Sequence, residues 1–200
     1  MDKNKVIEAL NKKGYEVSWF ETKEEATAYL EKNIVNSTVG FGDSLTFTQM
    51  GLYDVLSKKN IVHDPNQWHG DEFLEVARKA YDTDYFLTSV NGISEDGVII
   101  NIDGTGNRVG SSLFGHKKVF YVLGVNKFAE DTEKAIWRAR NIAAPLNAQR
   151  IEYKTPCAVK GDHCYDCKSP DRICNSLVVF WRKPWGCDYE IVLVNESLGY

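Results

Sequence analysis

The stretch STVGFGDSLTFTQMGLYDVLSKK, residues 37–59, is the part of the chain that decides its fold class. Residues 37–41 show the apolar pattern of a short strand, and Gly42, Asp43 and Ser44 then form a turn. The residues around TQMGLYDVLSKK follow with a helical pattern. A strand, a tight turn and a helix in direct succession are typical of a sheet with helices packed against it.

The same alternation continues on both sides of this unit. Helices are predicted at the amino terminus, where Gly14 ends the first one, and at EEATAYLEK, DEFLEVARKAY and DTEKAIWRARNIA. Thr22 and Glu25 form a capping-box pattern before the second helix. Strands are predicted at YEVSWF, DYFLTSV, GVIINIDG and KKVFYVLG. The last two are adjacent in the chain and need only a local connection. We therefore predict an α/β fold, a mixed sheet with flanking helices.

The carboxyl-terminal quarter of the chain has a different composition. Residues 151–176 contain four cysteines, two prolines and little periodicity, which predicts a loop-rich insert. Residues 177–200 then supply two closing strands, SLVVFWR and YEIVLVN, which we expect to pair with each other in antiparallel fashion. We interpret residues 1–200 as a single domain that carries this cysteine-rich insert.

Composition excludes several classes of protein. Apolar residues make up 43% of the chain and charged residues 26%, a balance typical of soluble proteins. The formal net charge of −4 provides no basic field for a nucleic acid or an anionic membrane. No run approaches the ~18 apolar residues of a transmembrane helix. The first residues form an amphipathic helix pattern rather than a signal peptide, so we expect a cytoplasmic protein.

The turn after the first quoted strand is a candidate binding site for an anion. Gly40, Gly42, Asp43, Ser44 and Thr46 lie where a strand ends and a helix begins. Main-chain N–H groups at such a point favour phosphate or carboxylate, and the two hydroxyls add donors. The spacing matches neither a Walker loop nor G-x-G-x-x-G, so no nucleotide motif is present. A tight turn with Ser44 or Thr46 as the helix cap is the alternative interpretation.

A second candidate is the glycine-rich stretch NGISEDGVIINIDGTGNRVGSSLFGHKKVFYVLGVNK, residues 91–127. Glu95, Asp103, Asn107 and Arg108 are its candidate ligand-binding residues. An arginine beside a glycine turn is suited to bidentate capture of a carboxylate or phosphate. The alternative is a hairpin in which Asp103 and Arg108 form a surface ion pair. Among the four histidines, His116 is the best candidate for a ligand-facing side chain.

Four of the five cysteines lie within CAVKGDHCYDCKSPDRIC, residues 157–174. A reducing cytosol and an odd number of cysteines both disfavour disulfides. Cys157, Cys164, Cys167 and Cys174 could instead bind an iron–sulfur cluster or, as the alternative, zinc. Only two of them are closely spaced, which favours iron–sulfur over zinc. Reduced packing thiols, or a redox pair of the two close cysteines, remain open.

Three stretches together resemble the LUD (lactate-utilisation) domain family. They are VGFGDSLTFTQMGL, the motif from SEDGVIINIDG to VLGVNK, and AIWRARNIAAPLNAQR. The resemblance covers roughly residues 1–155 and the closing strands. It implies a fold like that of ribose-5-phosphate isomerase, glucosamine-6-phosphate deaminase and the CoA transferases. It identifies no catalytic residues in this chain.

The resemblance also implies a function and partners. The family is linked to the oxidation of lactate to pyruvate beside iron–sulfur oxidoreductase subunits. We therefore expect a protein that binds a small anionic metabolite and takes part in 2-hydroxy acid utilisation, with a homo-oligomer as a further option. The alternative is a non-catalytic module that senses metal or redox state through the cysteine segment.

Overall fold

Six parallel strands form the main sheet of the computed structural model, which describes residues 2–200. The pairing of neighbours is parallel throughout, with β10 between β1 and β7 and β2 between β4 and β3. In spatial order the strands are β1 (Glu16–Phe20), β10 (Asp188–Val194), β7 (Lys118–Gly124), β4 (Tyr85–Thr88), β2 (Thr38–Phe41) and β3 (Ile61–His63).

A second sheet of four strands contains the antiparallel pairing. Its order is β8 (Phe128–Ala129), β5 (Gly92–Ser94), β6 (Ile99–Asp103) and β9 (Ser176–Phe180). Strand β6 pairs antiparallel with both β5 and β9, whereas β5 and β8 are parallel. The predicted α/β class is confirmed, and the mixed pairing lies in this second sheet.

The closing strands do not pair with each other as the sequence suggested. Strand β9 lies in the second sheet beside β6, and β10 is inserted between two strands of the main sheet. All but the first residue of β10 is buried, as expected for a parallel strand that is covered on both faces. Tyr189 and the apolar residues 191–194 therefore fit the interior of the main sheet. The one carboxylate among them, that of Glu190, is buried and lies 2.8 Å from Lys118 Nζ.

Nine helices connect and cover the strands in the part of the chain that the structure describes. They are α1 (Lys3–Lys12), α2 (Lys23–Asn33), α3 (Leu45–Met50), α4 (Leu52–Leu56), α5 (Gly70–Tyr81), α6 (Asn107–Ser111), α7 (Thr132–Arg138), α8 (Ala144–Arg150) and α9 (Pro156–Lys160). The helix predicted after the 42–44 turn divides at Gly51, which has a φ of 62°. A π-helical turn over Ala139–Ala143 joins α7 to α8.

The predicted capping box begins α2. The Thr22 hydroxyl accepts a hydrogen bond from the Glu25 N–H, and the Glu25 carboxylate accepts one from the Thr22 N–H. Both donors belong to the first turn, where the helix itself supplies no acceptor. This prediction is confirmed.

Apolar clusters cover both faces of the main sheet. Phe120 of β7 packs in a cluster with α2, α3 and α4, whereas its neighbour Tyr121 packs in a cluster with α1 and the second sheet. Ile100 and Ile102 of β6 face a third cluster with Ala135 of α7. The layers are therefore helices, main sheet, second sheet and α7.

Residues 151–175 contain the short helix α9 and no strand. They are attached to the second sheet by the Asn175 N–H, which donates to the main-chain oxygen of Asp103 at 3.0 Å. None of the helices described for residues 2–200 has the length and hydropathy needed to cross a membrane.

We expect Gly40→Ala to destabilise the fold, because β2 passes very close to the end of α5 at this position. A Cβ atom there would lie 2.2 Å from the Ala80 carbonyl oxygen and 2.9 Å from the Thr83 hydroxyl. Overpacking against main chain should lower the free energy of unfolding by about 1–3 kcal/mol in urea denaturation. Gly110→Ala is the control, since its Cβ would meet its nearest neighbour at 3.5 Å. Equal stabilities of the two variants would contradict this account.

Candidate functional site

Two adjoining cavities lie at the carboxyl ends of the main-sheet strands. The main cavity has a volume of about 560 Å³ and the second cavity about 70 Å³. Loops that follow β2, β4, β7 and β10 line the second cavity, and the turn after β6 lines the main one. The residues that line both are Asp43, Asn91, Arg108, Ala143 and Asn147. Ligands of open α/β sheets bind at this end of the strands.

The turn after β2 contributes its polar side chains to the second cavity. Asp43, Ser44 and Thr46 all line it. Asp43 has a φ of 31°, a left-handed conformation that costs free energy for a residue with a side chain. Ser44 is the N-cap residue of α3, yet its hydroxyl makes no capping hydrogen bond. This hydroxyl is therefore available to a ligand.

Two cations line the second cavity, Arg108 and Lys127. Arg108 donates to the main-chain oxygen of Ile102, and Lys127 donates to that of Tyr200. Only 3% of Lys127 is exposed. Burial lowers the pKa of Lys127 to about 7, and the guanidinium groups of Arg138 and Arg108 act in the same direction. The lysine therefore changes its charge near neutral pH.

Asp103 holds the turn that presents Arg108. Its buried carboxylate accepts hydrogen bonds from four main-chain N–H groups, those of Thr105, Gly106, Arg108 and Val109, at 3.0–3.1 Å. These bonds leave it little capacity to bind a ligand, although it lines the main cavity. Asp103 is therefore a positioning residue for Arg108.

Of the remaining predicted site residues, one lines the main cavity and three line neither cavity. Asn107 lines the main cavity. Glu95 is exposed in the turn after β5, and neither cavity is lined by it. Gly40 and Gly42 do not line the cavities either; a Cβ at Gly42 would lie 2.8 Å from the Thr88 hydroxyl. Neighbouring residues pack so closely against Gly40 and Gly42 that neither position has room for a side chain.

His116 belongs to the core rather than to the site. Its Nδ1 lies 2.8 Å from the main-chain oxygen of Thr83, and its ring stacks on Phe86. Burial lowers the pKa of His116, which favours the neutral ring. The expectation that His116 faces a ligand is therefore wrong. His69, at the start of α5, is the histidine that lines the main cavity.

Sequence reasoning missed several polar residues of the site, among them one lysine and two residues of α8. Lys127 follows β7, and Asn147 and Arg150 lie on α8. Arg150 Nη2 is 3.7 Å from Asp43 Oδ1, and Arg150 Nε donates to Asn147 Oδ1 at 3.0 Å. A lysine directly after a buried strand is a usable signal for Lys127, because strand ends of parallel sheets meet at one edge. The pattern of α8 contains no comparable signal.

Cys157, Cys164, Cys167 and Cys174 line a third, small cavity beside α8. All four are unpaired by disulfides, as is Cys187. Burial raises the pKa of Cys174, which Arg172 opposes and the neighbouring Cys164 and Cys167 reinforce. Among residues 2–200, no group of three or more His, Cys, Asp and Glu side chains is positioned to hold a metal ion. The four thiols thus share a cavity without the close grouping expected around a single ion.

Comparison with known proteins places this geometry in a family. A DUF162 family protein from Deinococcus radiodurans shares the fold, with a TM-score of 0.54 at 11% identity over 96% of this chain and 94% of that one. Ribose 5-phosphate isomerase from Plasmodium falciparum aligns with a TM-score of 0.36 at 16% identity, over 54% of this chain and 52% of that one. No curated protein matches the sequence. The model of the LUD domain matches residues 3–194, and the protein therefore belongs to the LUD domain family.

Proposed function

We propose that the protein binds a small anionic metabolite whose carboxylate or phosphate lies in the second cavity between Arg108 and Lys127. The observation that supports this most is that two cations share a cavity of about 70 Å³ whose other polar lining includes Ser44, Thr46 and Ser89. Asp43 is the acidic side chain there, and Arg150 stands close enough to balance it. A bound anion would relieve the repulsion between the two cations.

The main cavity would hold the rest of the metabolite. Its lining combines apolar side chains, among them Trp68, Phe73 and Ile102, with polar ones such as His69 and Asn147. About 560 Å³ lies within the usual range of small-molecule sites, roughly 300–1,000 Å³. A wall that combines apolar side chains with many polar groups can orient a ligand whose charged end is fixed elsewhere.

The metabolite class that we propose is a 2-hydroxy acid such as lactate, or the corresponding 2-oxo acid. Membership of the LUD domain family supports this choice, and so does a site with two cations for one carboxylate. We propose that the protein takes part in lactate utilisation in the cytoplasm beside iron–sulfur oxidoreductase subunits.

A non-catalytic sensing module is the second candidate function, and the four thiols around one cavity favour it. Turnover of lactate with an artificial electron acceptor would distinguish the two.

Replacement of Arg108 tests the anion site. We expect Arg108→Ala to weaken the binding of lactate, pyruvate or inorganic phosphate, measured by titration calorimetry, by about 1.5–3 kcal/mol, which is roughly ten- to a hundred-fold in Kd. Arg78→Ala removes an equal charge from an exposed position on α5 and should leave Kd unchanged. Equal affinities of the two variants for all three anions would contradict the proposed site.

The pH dependence of binding tests Lys127. This lysine is charged below its pKa of about 7 and neutral above it. Its attraction for an anion is therefore present below about pH 7 and lost as the pH rises above that value. The carboxylate of lactate stays ionised throughout, and we expect its affinity to fall as the pH rises from about 6 to about 8.5.

Lys127→Met provides the comparison for that measurement. The variant should bind lactate weakly and with little change across the same pH range, because the titrating charge is gone. Lys79→Met, at an exposed position on α5, should keep the pH dependence of the unmodified protein. A fall in affinity that persists in Lys127→Met would assign the pH dependence to another group.

A further inference from the structure

Two of the four thiols of the 157–174 segment, those of Cys157 and Cys164, have hydrogen-bonding groups at their sulfur atoms. The Asp166 N–H donates to Cys164 Sγ at 3.4 Å, and Arg140 Nη2 lies 3.8 Å from the same sulfur. The Thr155 hydroxyl is 3.3 Å from Cys157 Sγ. Hydrogen bonds to the cysteine sulfurs are a regular feature of the protein environment around iron–sulfur clusters.

Two arginines organise the segment around this cavity. Arg172 donates to the main-chain oxygens of Cys167 and Cys174, at 2.7 and 3.2 Å. Asp166 Oδ1 lies 3.2 Å from Arg172 Nη2 and 3.4 Å from Arg140 Nη2. Two positive side chains, Arg172 of the loop and Arg140 of the π-helical turn, are therefore joined by the carboxylate of Asp166 beside the four cysteines. Such a charge balance suits a group of bound thiolates.

We propose that Cys157, Cys164, Cys167 and Cys174 bind a cubane iron–sulfur cluster of the [4Fe–4S] type. In such a cluster each thiolate binds a different iron, so the four sulfurs stand around a cavity instead of meeting at one point. A zinc ion would need all four sulfurs within about 2.3 Å of a common centre. Residues 2–200 contain no group so arranged, whereas the four cysteines do line one cavity.

The walls of the cavity fit the same group. Ala144, Pro145 and Ala148 of α8, together with Ile173, supply an apolar lining. The 151–175 segment contains one short helix and no strand, so a bound cluster would supply the core that its own residues lack. Each thiol would lose its proton when it binds iron.

The proposed cluster would lie next to the proposed ligand site. The cluster proposal does not require that the anion site is correct. Ala144 and Ile173 line both the cysteine cavity and the main cavity. A cluster would therefore lie one side-chain layer from the bound metabolite. Its assembly requires two ferrous and two ferric irons, four sulfides and the four cysteines, and neither Arg108 nor Lys127 contributes to it. Failure of the anion site and failure of the cluster are thus separate results.

Metal analysis of the full chain tests the proposal. After anaerobic purification, and after reconstitution with equal amounts of ferrous and ferric iron and with sulfide, we expect about four irons and about four sulfides per chain. A broad visible absorption that bleaches with dithionite should accompany them. One zinc per chain without iron after reconstitution would overturn the proposal, as would a protein that binds no metal and retains titratable thiols.

Single replacements identify the ligands. Cys164→Ala and Cys174→Ala should each lose most of the iron and the visible absorption, whereas Cys187→Ala, outside the cavity, should retain both. Because a replacement could also disturb the fold, far-UV circular dichroism of the same samples reports on the α/β core. Full iron content in both Cys164→Ala and Cys174→Ala would refute the assignment.

Discussion

The need to cover both faces of a parallel sheet governs this structure. Strands β7 and β10 are buried along nearly their whole length, and alternate residues such as Phe120 and Tyr121 face opposite apolar clusters. Helices α2–α4 cover one face, and the second sheet with α1 covers the other. With both faces closed, the loops at the carboxyl ends of the strands are left to form a site. The cavities lie there.

The site concentrates groups that are unfavourable in isolation. Asp43 adopts a left-handed conformation, and Lys127 is buried beside Arg108 and Arg138. Strained main chain and buried like charges persist only where the surrounding structure over-determines them, and they cluster at functional sites. Asp103 illustrates that support, because four main-chain hydrogen bonds to its carboxylate hold the turn that carries Arg108.

Helix α8 connects the two sites that we propose. Residues at its start line the main cavity and the cysteine cavity, and the π-helical turn that precedes it carries Ala143, which lines both ligand cavities. π-Helical turns are frequent at functional sites. Ala144 of α8 and Ile173 line both the main cavity and the cysteine cavity.

Sequence alone determined the α/β class, the capping box of Thr22 and Glu25, and the polar turn at the end of β2, because each depends on periodicity or on neighbours within a few residues. It also named Arg108, which lines both cavities, as a candidate binding residue. Only the tertiary structure decided that β9 and β10 separate into two sheets and that Lys127 and Arg150 join the site. An apolar pattern shows that a strand is buried but not which strand it pairs with. Groups that are distant in sequence come together only when the whole chain packs.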